Sequence, residues 1–314
     1  MNAGEKIDTF EQLARAWHAH KLDEWAPAHA AEVLASLERD VFPAIGAAAI
    51  GAIEPPELLA VLRAVEARGA RETARRLRQR LGKIFAYGIA EGQAASNPAA
   101  DLGAATKPPA PPRPQPALTK VDDCRALLSA CDHVVDADNV VLLASRFLAL
   151  TAVRWAAVRG MRWGEVEDLD GAEPLWRIPA ARMKLSKAKK GEARFEHLVP
   201  LSPQAVRVLR EIGYDTRSKD GLVFPGLADG ALRAVYARTE FIGRHVPHGW
   251  RASFSTILNE LPWPGWPTEV RRDAMIDLAL AHTPKDKVAA AYNRATVLTV
   301  RRALFDRWGE LLDG

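Results

Sequence analysis

The sequence is poor in cysteine and has no long apolar segment. Only Cys124 and Cys131 occur among the 314 residues. In a predicted helix they lie about 10 Å apart, beyond the ~7 Å limit for a disulfide. We therefore expect two buried free thiols, whose spacing does not match a structural zinc site. The longest stretch without a charge, residues 41–53, has 13 residues, fewer than the ~20 that span a bilayer.

Several sequence signals are also missing. The first residues lack the basic start and apolar core of a secretory signal, so we expect a cytoplasmic protein without membrane contact. No phosphate-binding Gly-x-x-x-x-Gly-Lys-Ser/Thr loop, no Gly-x-Gly-x-x-Gly, no Gly-x-Ser-x-Gly and no His-Glu-x-x-His is present. Nucleotide-binding, serine-hydrolase and zinc-protease functions therefore have no support in the sequence.

Proline is concentrated in one place. Six prolines fall between residues 106 and 116, which excludes a helix or a central strand there and predicts a semi-rigid spacer. A proline-rich ligand for another domain is the alternative. The hydrophobic share of 48% is that of a globular protein. The length of 314 residues is enough for about two globular domains. We predict a first domain over residues 1–105, a linker over 106–117 and a second domain over 118–314.

The remaining pattern is mostly helical. Phe10, Leu13, Ala14 and Trp17 recur at helical spacing after Thr9, a good N-cap. Short apolar runs separated by charged turns between residues 163 and 201 predict a small antiparallel sheet. Further helices are predicted over residues 28–37, 56–67, 72–90, 121–131, 140–153, 203–212, 250–260, 274–281 and 298–312.

Positive charge is unevenly distributed. Residues 1–105 contain 12 basic and 14 acidic residues, and the rest of the chain contains 31 and 25. Within the first part, seven basic residues between Arg68 and Lys83 face a single acid, Glu72. This predicts either a helix face turned to a polyanion or a solvated arginine-rich helix.

Candidate catalytic residues are cationic or aromatic. His248 and Arg251 lie three residues apart near a predicted helix start, so they share a face and suit phosphate binding and proton transfer. Tyr292 follows His282 by ten residues and is a potential nucleophile in positive surroundings. Arg154 ends an apolar predicted helix, where a guanidinium is costly unless it is paired.

These residues carry a resemblance to a known family. The segments "LTAVRWAAVRGMRW", "IPAARMKLSK…HLVPLS", "HVPHGWRASFSTILNE" and "LALAHTPKDKVAAAYNRA" resemble those of phage-integrase-type tyrosine recombinases, in the prophage and satellite-phage branch. The matching positions, in the family's order, are Arg154, Lys184, His248, Arg251, His282 and Tyr292. The resemblance implies a helical core-type DNA-binding domain followed by a helix-rich catalytic domain with a small antiparallel sheet.

The resemblance also implies site-specific DNA recombination, in prophage integration or excision. Arg154 and Arg251 would bind the scissile phosphate, and Tyr292 would attack it to give a 3′-phosphotyrosyl link. Such a reaction needs no metal or other cofactor. The implied partners are double-stranded DNA, a homotetramer on paired sites, and DNA-bending or directionality proteins, in the bacterial nucleoid.

Three further roles follow from the same resemblance. Lys184 would protonate the departing 5′-oxygen, His248 would accept the tyrosyl proton, and His282 would hydrogen-bond the phosphate. In the first domain, Arg75, Arg76 and Lys83 are the predicted DNA-backbone contacts. The apolar stripe after Tyr292 would pack either on its own domain or on a neighbouring protomer.

The sequence departs from the family's pattern at two positions. Ala152 stands where glycine is usual, and Ala157 stands where an acid usually orients the first arginine. The length also implies that the family's N-terminal arm-binding domain is lacking. Two alternatives therefore stay open: a catalytically weakened recombinase that acts as a DNA-binding regulator, and a relaxing enzyme similar to type IB topoisomerases.

Overall fold

The chain folds into two compact units. The computed structural model describes residues 7–108, 111, 114–183, 185, 190–213, 218–282 and 294–313, with only the backbone at 294–296. The first unit ends before Pro114, and the second begins there. The described part is mostly helical with one antiparallel sheet, which confirms the predicted fold class.

Helices alone build the described part of the first unit. They are α1 (Phe10–Lys21), α2 (Pro27–Asp40), α3 (Phe42–Ile45), α4 (Pro55–Ala67) and α5 (Arg71–Ala90). As predicted, Thr9 caps α1: its Oγ1 accepts from the Gln12 amide, and Gln12 Oε1 accepts from the Thr9 amide at 3.1 Å. The apolar faces of α1 and α5 meet in a core that contains Leu13, Leu81 and Phe85.

The second unit combines helices with a sheet. Its described helices are α6 (Val121–Asp132), α7 (Asn139–Thr151), α8 (Trp155–Arg159), α9 (Pro203–Glu211), α10 (Ala231–Tyr236), α11 (Gly249–Glu260), α12 (Arg272–Ala279) and α13 (Arg294–Asp313). Short 3₁₀ turns occur in both units, at Ile50–Ala52, Leu102–Ala104, Trp163–Glu165, Ala180–Arg182 and Ala193–Phe195.

The sheet lies where the short apolar runs separated by charged turns predict it. Strands β1 (Val166–Glu167), β2 (Leu175–Ile178) and β3 (His197–Pro200) pair antiparallel in the order β1-β2-β3. Ile178 on β2 is opposite His197 on β3. Helices α8 and α10 have no counterpart in the sequence pattern, because helices of five and six residues are too short to display a 3.6-residue period.

The last helix packs on its own unit. Trp308 on α13 is fully buried and donates from Nε1 to the Ala149 carbonyl on α7 at 2.7 Å. Leu304 and Phe305 are buried beside it, and Phe254 on α11 contacts the Trp308 ring. Of the two arrangements that the sequence left open, the structure has the one within a single chain.

Other predictions concern the linker and the cysteines. The described residues between 106 and 119 form neither helix nor strand. Cys124 and Cys131 are free and buried as predicted, and burial raises the pKa of each thiol to about 12. Among the described helices, none combines the length and the apolar character needed to cross a membrane.

Candidate active site

Arg251 is the centre of the candidate site. It lies in the first turn of α11, three residues after His248, which is the exposed N-cap of that helix. The first residue of the helix, Gly249, has no room for a side chain, because a Cβ there would lie 2.5 Å from the Pro116 carbonyl oxygen. The predicted helix start is therefore confirmed, although His248 faces solvent while Arg251 points inward.

The buried Arg251 guanidinium binds neutral acceptors. Nη1 donates to the Ala152 carbonyl at 3.1 Å, and Nη2 donates to the Leu280 carbonyl at 2.6 Å and to His282 Nε2 at 2.9 Å. Burial, together with the nearby charge of Arg154, lowers the pKa of Arg251 to about 10. The group is still protonated at neutral pH, so its positive charge is held in place without being neutralised by these partners.

Two alanines in the left-handed region present those carbonyls. Ala152, which ends α7, has φ 47°, and Ala281, just after α12, has φ 50°. At Ala281 the chain forms a Schellman turn, in which the His282 amide donates to the Asp277 carbonyl and the Ala281 amide to that of Leu278. Glycine is the favoured residue for this conformation, which explains the family's glycine at the position of Ala152.

We expect replacement of Ala281 with glycine to stabilise the second unit. A left-handed alanine costs about 1–2 kcal/mol, and the greater freedom of glycine in the unfolded chain returns about 0.4–1 kcal/mol of that. The free energy of unfolding measured in urea should therefore rise by about 0.5–1 kcal/mol. Ala274→Gly within α12 is the matched control and should lower it by about 1 kcal/mol. Equal destabilisation by both changes would contradict the strain at Ala281.

His282 connects Arg251 to a carboxylate. Its Nδ1 lies 2.8 Å from Asp277 Oδ1, and its Nε2 lies 2.9 Å from Arg251 Nη2. Because an arginine N–H can only donate, His282 Nε2 accepts, and Nδ1 therefore carries the proton that is donated to Asp277. No pattern in the sequence indicates Asp277, since a five-residue spacing joins two side chains only when the chain reverses after the helix, as it does at Ala281.

A cavity of about 260 Å³ adjoins Arg251. Its walls combine apolar side chains with four nitrogen-bearing ones, those of Arg154, Arg182, His197 and Arg251. A second cavity, of about 430 Å³, lies between α6, α7, α9 and the end of α13 and includes none of the predicted site residues. Of these two cavities, which are formed by described residues, the smaller one therefore brings Arg154 and Arg251 together.

Arg154 lies on the wall of the smaller cavity. The sequence pattern predicts it at the end of the apolar helix, but α7 ends at Thr151, and Arg154 is the N-cap of α8. This correction follows from Ala152, whose left-handed backbone ends α7 early. Within the described part of the chain, the partly buried guanidinium has no hydrogen-bond or ion-pair partner, and burial lowers the pKa of Arg154.

Ala157 leaves the first arginine without the family's carboxylate. The Ala157 carbonyl instead accepts from Arg182 Nη2, while Arg182 Nη1 donates to the buried Glu165. Glu165 also accepts from Trp176 Nε1 at 2.9 Å. The nearby carboxylate is thus paired with Arg182, and no carboxylate among the described residues contacts Arg154.

The remaining predicted residues lie elsewhere. Lys184 and Tyr292 are outside the described residues. On the exposed side of α5, Arg75 Nη2 and Arg76 Nε pair with Glu72 Oε1 at 2.7 and 3.0 Å. Hydrogen bonds from these two arginines lower the pKa of Glu72 to about 2. Lys83 is exposed farther along the helix, so all three predicted DNA contacts belong to the first unit, whereas the residues that line the cavity belong to the second.

Comparison with known proteins identifies the family. A family model described as the phage integrase central domain matches residues 10–105. Prophage integrase IntS of Escherichia coli strain K12 is 32% identical over 99% of this chain and 77% of its own length. The chain belongs to the phage integrases. The family that the sequence motifs indicated, that of the tyrosine recombinases, is thereby confirmed.

Solved structures of other integrases share this fold. A lambda integrase dimer bound to a COC′ core site superposes with a TM-score of 0.65 and 17% identity, covering 96% of this integrase and 78% of that chain. A lambda integrase tetramer bound to a Holliday junction gives the same TM-score with 14% identity, covering 90% and 80%. At these identities the likeness establishes the architecture of the integrase, and the residue roles rest on its own side chains.

Proposed function

We propose that this integrase performs site-specific recombination in prophage integration or excision, by cutting one DNA strand with Tyr292 and rejoining it to another. The observation that carries the proposal is the pair of guanidinium groups, Arg154 and Arg251, on one cavity wall. Neither is neutralised by a carboxylate among the described residues. A fixed positive site of this kind suits one phosphodiester group.

Arg251 has donors left for a phosphate. Its bonds to Ala152, Leu280 and His282 use three of its five N–H groups. The remaining two, with those of Arg154, can bind the nonbridging oxygens of the scissile phosphate. Both charges would stabilise the negative charge that grows on these oxygens in the transition state. The proposed cutting step therefore uses the two arginines, and not a metal ion, for this stabilisation.

The proposed cutting step is a substitution at phosphorus. The Tyr292 oxygen forms a bond to phosphorus, the bond from phosphorus to the 5′-oxygen breaks, and Lys184 gives that oxygen a proton. His248 takes the tyrosyl proton, and its exposure at the start of α11 leaves it accessible to DNA. The reverse step, with the 5′-hydroxyl of another strand, restores the phosphodiester without ATP.

His282 would hydrogen-bond the same phosphate. In the structure its Nδ1 donates to Asp277 and its Nε2 accepts from Arg251, so the ring is oriented toward the guanidinium that would hold the phosphate. Because a phosphate oxygen only accepts, the proposed bond forms when Nε2 gains a proton and turns from Arg251 to the phosphate. Asp277 thus supplies an orienting carboxylate from α12, although none stands at Ala157. Preorganisation of this kind lowers the cost of assembling the transition-state contacts.

The larger assembly is part of the same proposal. We assign core-site DNA binding to the first unit, catalysis to the second, and the linker function to residues 106–117. Support comes from the match of residues 10–105 to the integrase central domain and from lambda integrase, which was solved as a tetramer on a Holliday junction. Four copies on two duplexes, helped by DNA-bending or directionality proteins in the nucleoid, would complete the reaction.

Trapping the covalent intermediate tests the function. The substrates are duplexes tiled across the ends of the DNA element that encodes the chain, each with a nick beside the tested phosphate, so that the short cut fragment diffuses away. We expect one duplex to give a protein–DNA adduct that survives detergent and disappears with protease. DNA binding without any adduct would contradict the recombinase and support the regulator, a function in line with Ala157 at the position where the family has an acid. Relaxation of supercoiled DNA of arbitrary sequence would instead indicate a topoisomerase.

Neutralising the α5 residues should weaken DNA binding in a salt-dependent way. Each lost phosphate contact is expected to reduce the slope of log affinity against log salt by about 0.9. The triple variant Arg75→Gln, Arg76→Gln, Lys83→Gln should therefore reduce this slope by about 2.7. The slope is measured by titration of a labelled duplex at several salt concentrations. Arg63→Gln, an exposed change on α4, is the matched control. Equal slopes for the triple variant and the control would show that α5 does not contact DNA phosphates and is a solvated arginine-rich helix.

A further inference from the structure

The end of α12 is held by two side chains from other elements. The Schellman turn uses the carbonyls of Asp277 and Leu278, and the Leu280 amide binds that of Ile276. Two carbonyls at this end therefore need partners from outside the helix. Arg251 Nη2 binds the Leu280 carbonyl at 2.6 Å, and His197 Nε2 binds the Ala279 carbonyl at 3.1 Å.

His197 is a buried histidine beside three guanidinium groups. Only 8% of its surface is exposed, and it lines the cavity with Arg154 and Arg251. Burial, with the positive charges of Arg301, Arg251 and Arg154, holds the pKa of His197 well below its usual range. The ring is therefore neutral at physiological pH, and because a carbonyl only accepts, the Nε2 tautomer carries the proton.

Strand β3 also binds α13, the helix that follows Tyr292 in the sequence. Leu198, the residue after His197, accepts through its carbonyl from Nη2 of Arg301, a buried residue of α13. Consecutive residues of one strand thus fix α12, which precedes residues 283–293, and α13, which follows them. Loss of the His197 bond would leave the Ala279 carbonyl without this partner and loosen the end of α12, which leads directly to Leu280 and His282.

We propose that His197 is a positioning residue for strand transfer, which holds the end of α12 so that Leu280 and His282 meet Arg251. This inference rests on the proposed function of the same site. His197 itself touches no reacting atom in this role. Its contribution is the Nε2–H bond to the Ala279 carbonyl, which a glutamine amide can replace and a leucine cannot.

The test compares His197→Leu with His197→Gln on the nicked duplex. In His197→Leu we expect the rate of adduct formation at saturating DNA to fall about tenfold to a hundredfold, while the dissociation constant for the duplex changes less than about threefold. His197→Gln should recover most of the rate. A leucine variant with the wild-type rate, or a folded glutamine variant as slow as the leucine one, would overturn the proposal.

A double-mutant cycle separates positioning from general stability. If His197 acts through the α12 end, His197→Leu should cost less than about threefold when His282 is already alanine, since the group to be positioned is gone. An undiminished loss in that background would assign His197 a general structural role and overturn the proposal.

Imidazole nitrogen resonances give a readout that does not depend on activity. The His282 signals should shift in His197→Leu and return in His197→Gln, and unchanged signals in both variants would count against the proposal. If His197→Leu fails to fold, the glutamine variant still decides through the same signals. A wild-type chain that forms no adduct would contradict the proposed function alone, since the resonances still report on the α12 end.

Discussion

Replacement of Tyr292 with phenylalanine is expected to abolish the covalent adduct while leaving DNA binding intact. The change removes only the oxygen atom that would bond to phosphorus and keeps the aromatic ring, so the nucleophile is lost with little change in side-chain volume. The rate of adduct formation should fall by at least about three orders of magnitude. Adduct formation is measured on the nicked duplex in a single turnover, and binding is measured by titration of the same duplex without the nick.

Tyr87→Phe provides the matched control for that loss. Tyr87 lies on α5 in the first unit, where its ring contacts His20, and we expect the adduct of this variant to form at the wild-type rate. An adduct that persists in Tyr292→Phe would show that another residue is the nucleophile. Peptide mapping of the trapped adduct would then identify it.

Long helices and the sheet could be predicted because their patterns repeat over several turns or strands. The prediction over residues 72–90, for example, differs by one residue from α5 at Arg71–Ala90. The shorter α8 was missed, and with it the true surroundings of Arg154. The turn that separates α7 from α8 depends on the left-handed backbone of Ala152, a conformation that an alanine in the sequence does not announce.

The candidate site could be predicted only in part, for a related reason. His248 and Arg251 lie at one helix start as the sequence predicts, but only Arg251 lines the cavity, because His248 is exposed at the N-cap. Asp277 and His197 reach the site through a chain reversal and through the pairing of β3 with β2. Neither relation is local, and both depend on tertiary packing, which no period in the sequence encodes.

The surroundings of Ala157 change what its missing carboxylate means. Arg182 binds the Ala157 carbonyl and is paired with Glu165, so the acid of this region supports a different arginine. Among the described residues no carboxylate compensates the charge of Arg154 at the cavity wall, which favours anion binding. Orientation of the site then depends chiefly on Arg251, whose three bonds fix its plane.

Replacement of Arg251 with lysine is therefore expected to have the second large effect. Lysine keeps the positive charge but has no planar fork, so it cannot reach the Ala152 carbonyl, the Leu280 carbonyl and a phosphate together. Loss of preorganised donors to a developing oxyanion costs about a hundredfold to a thousandfold each. We expect the adduct rate at saturating DNA to fall by about a thousandfold.

Stability must be separated from chemistry in this variant. A buried carbonyl left without its partner costs about 1–3 kcal/mol, so Arg251→Lys should also lower the free energy of unfolding. Arg125→Lys is the matched control, because Arg125 Nε donates to the Leu311 carbonyl at 2.7 Å and does not line the cavity. It should lower the stability and leave the adduct rate per folded molecule unchanged. If Arg251→Lys retained a rate within tenfold of wild type, stabilisation of the phosphate would not depend on the Arg251 guanidinium. Arg154 would then have to supply that stabilisation.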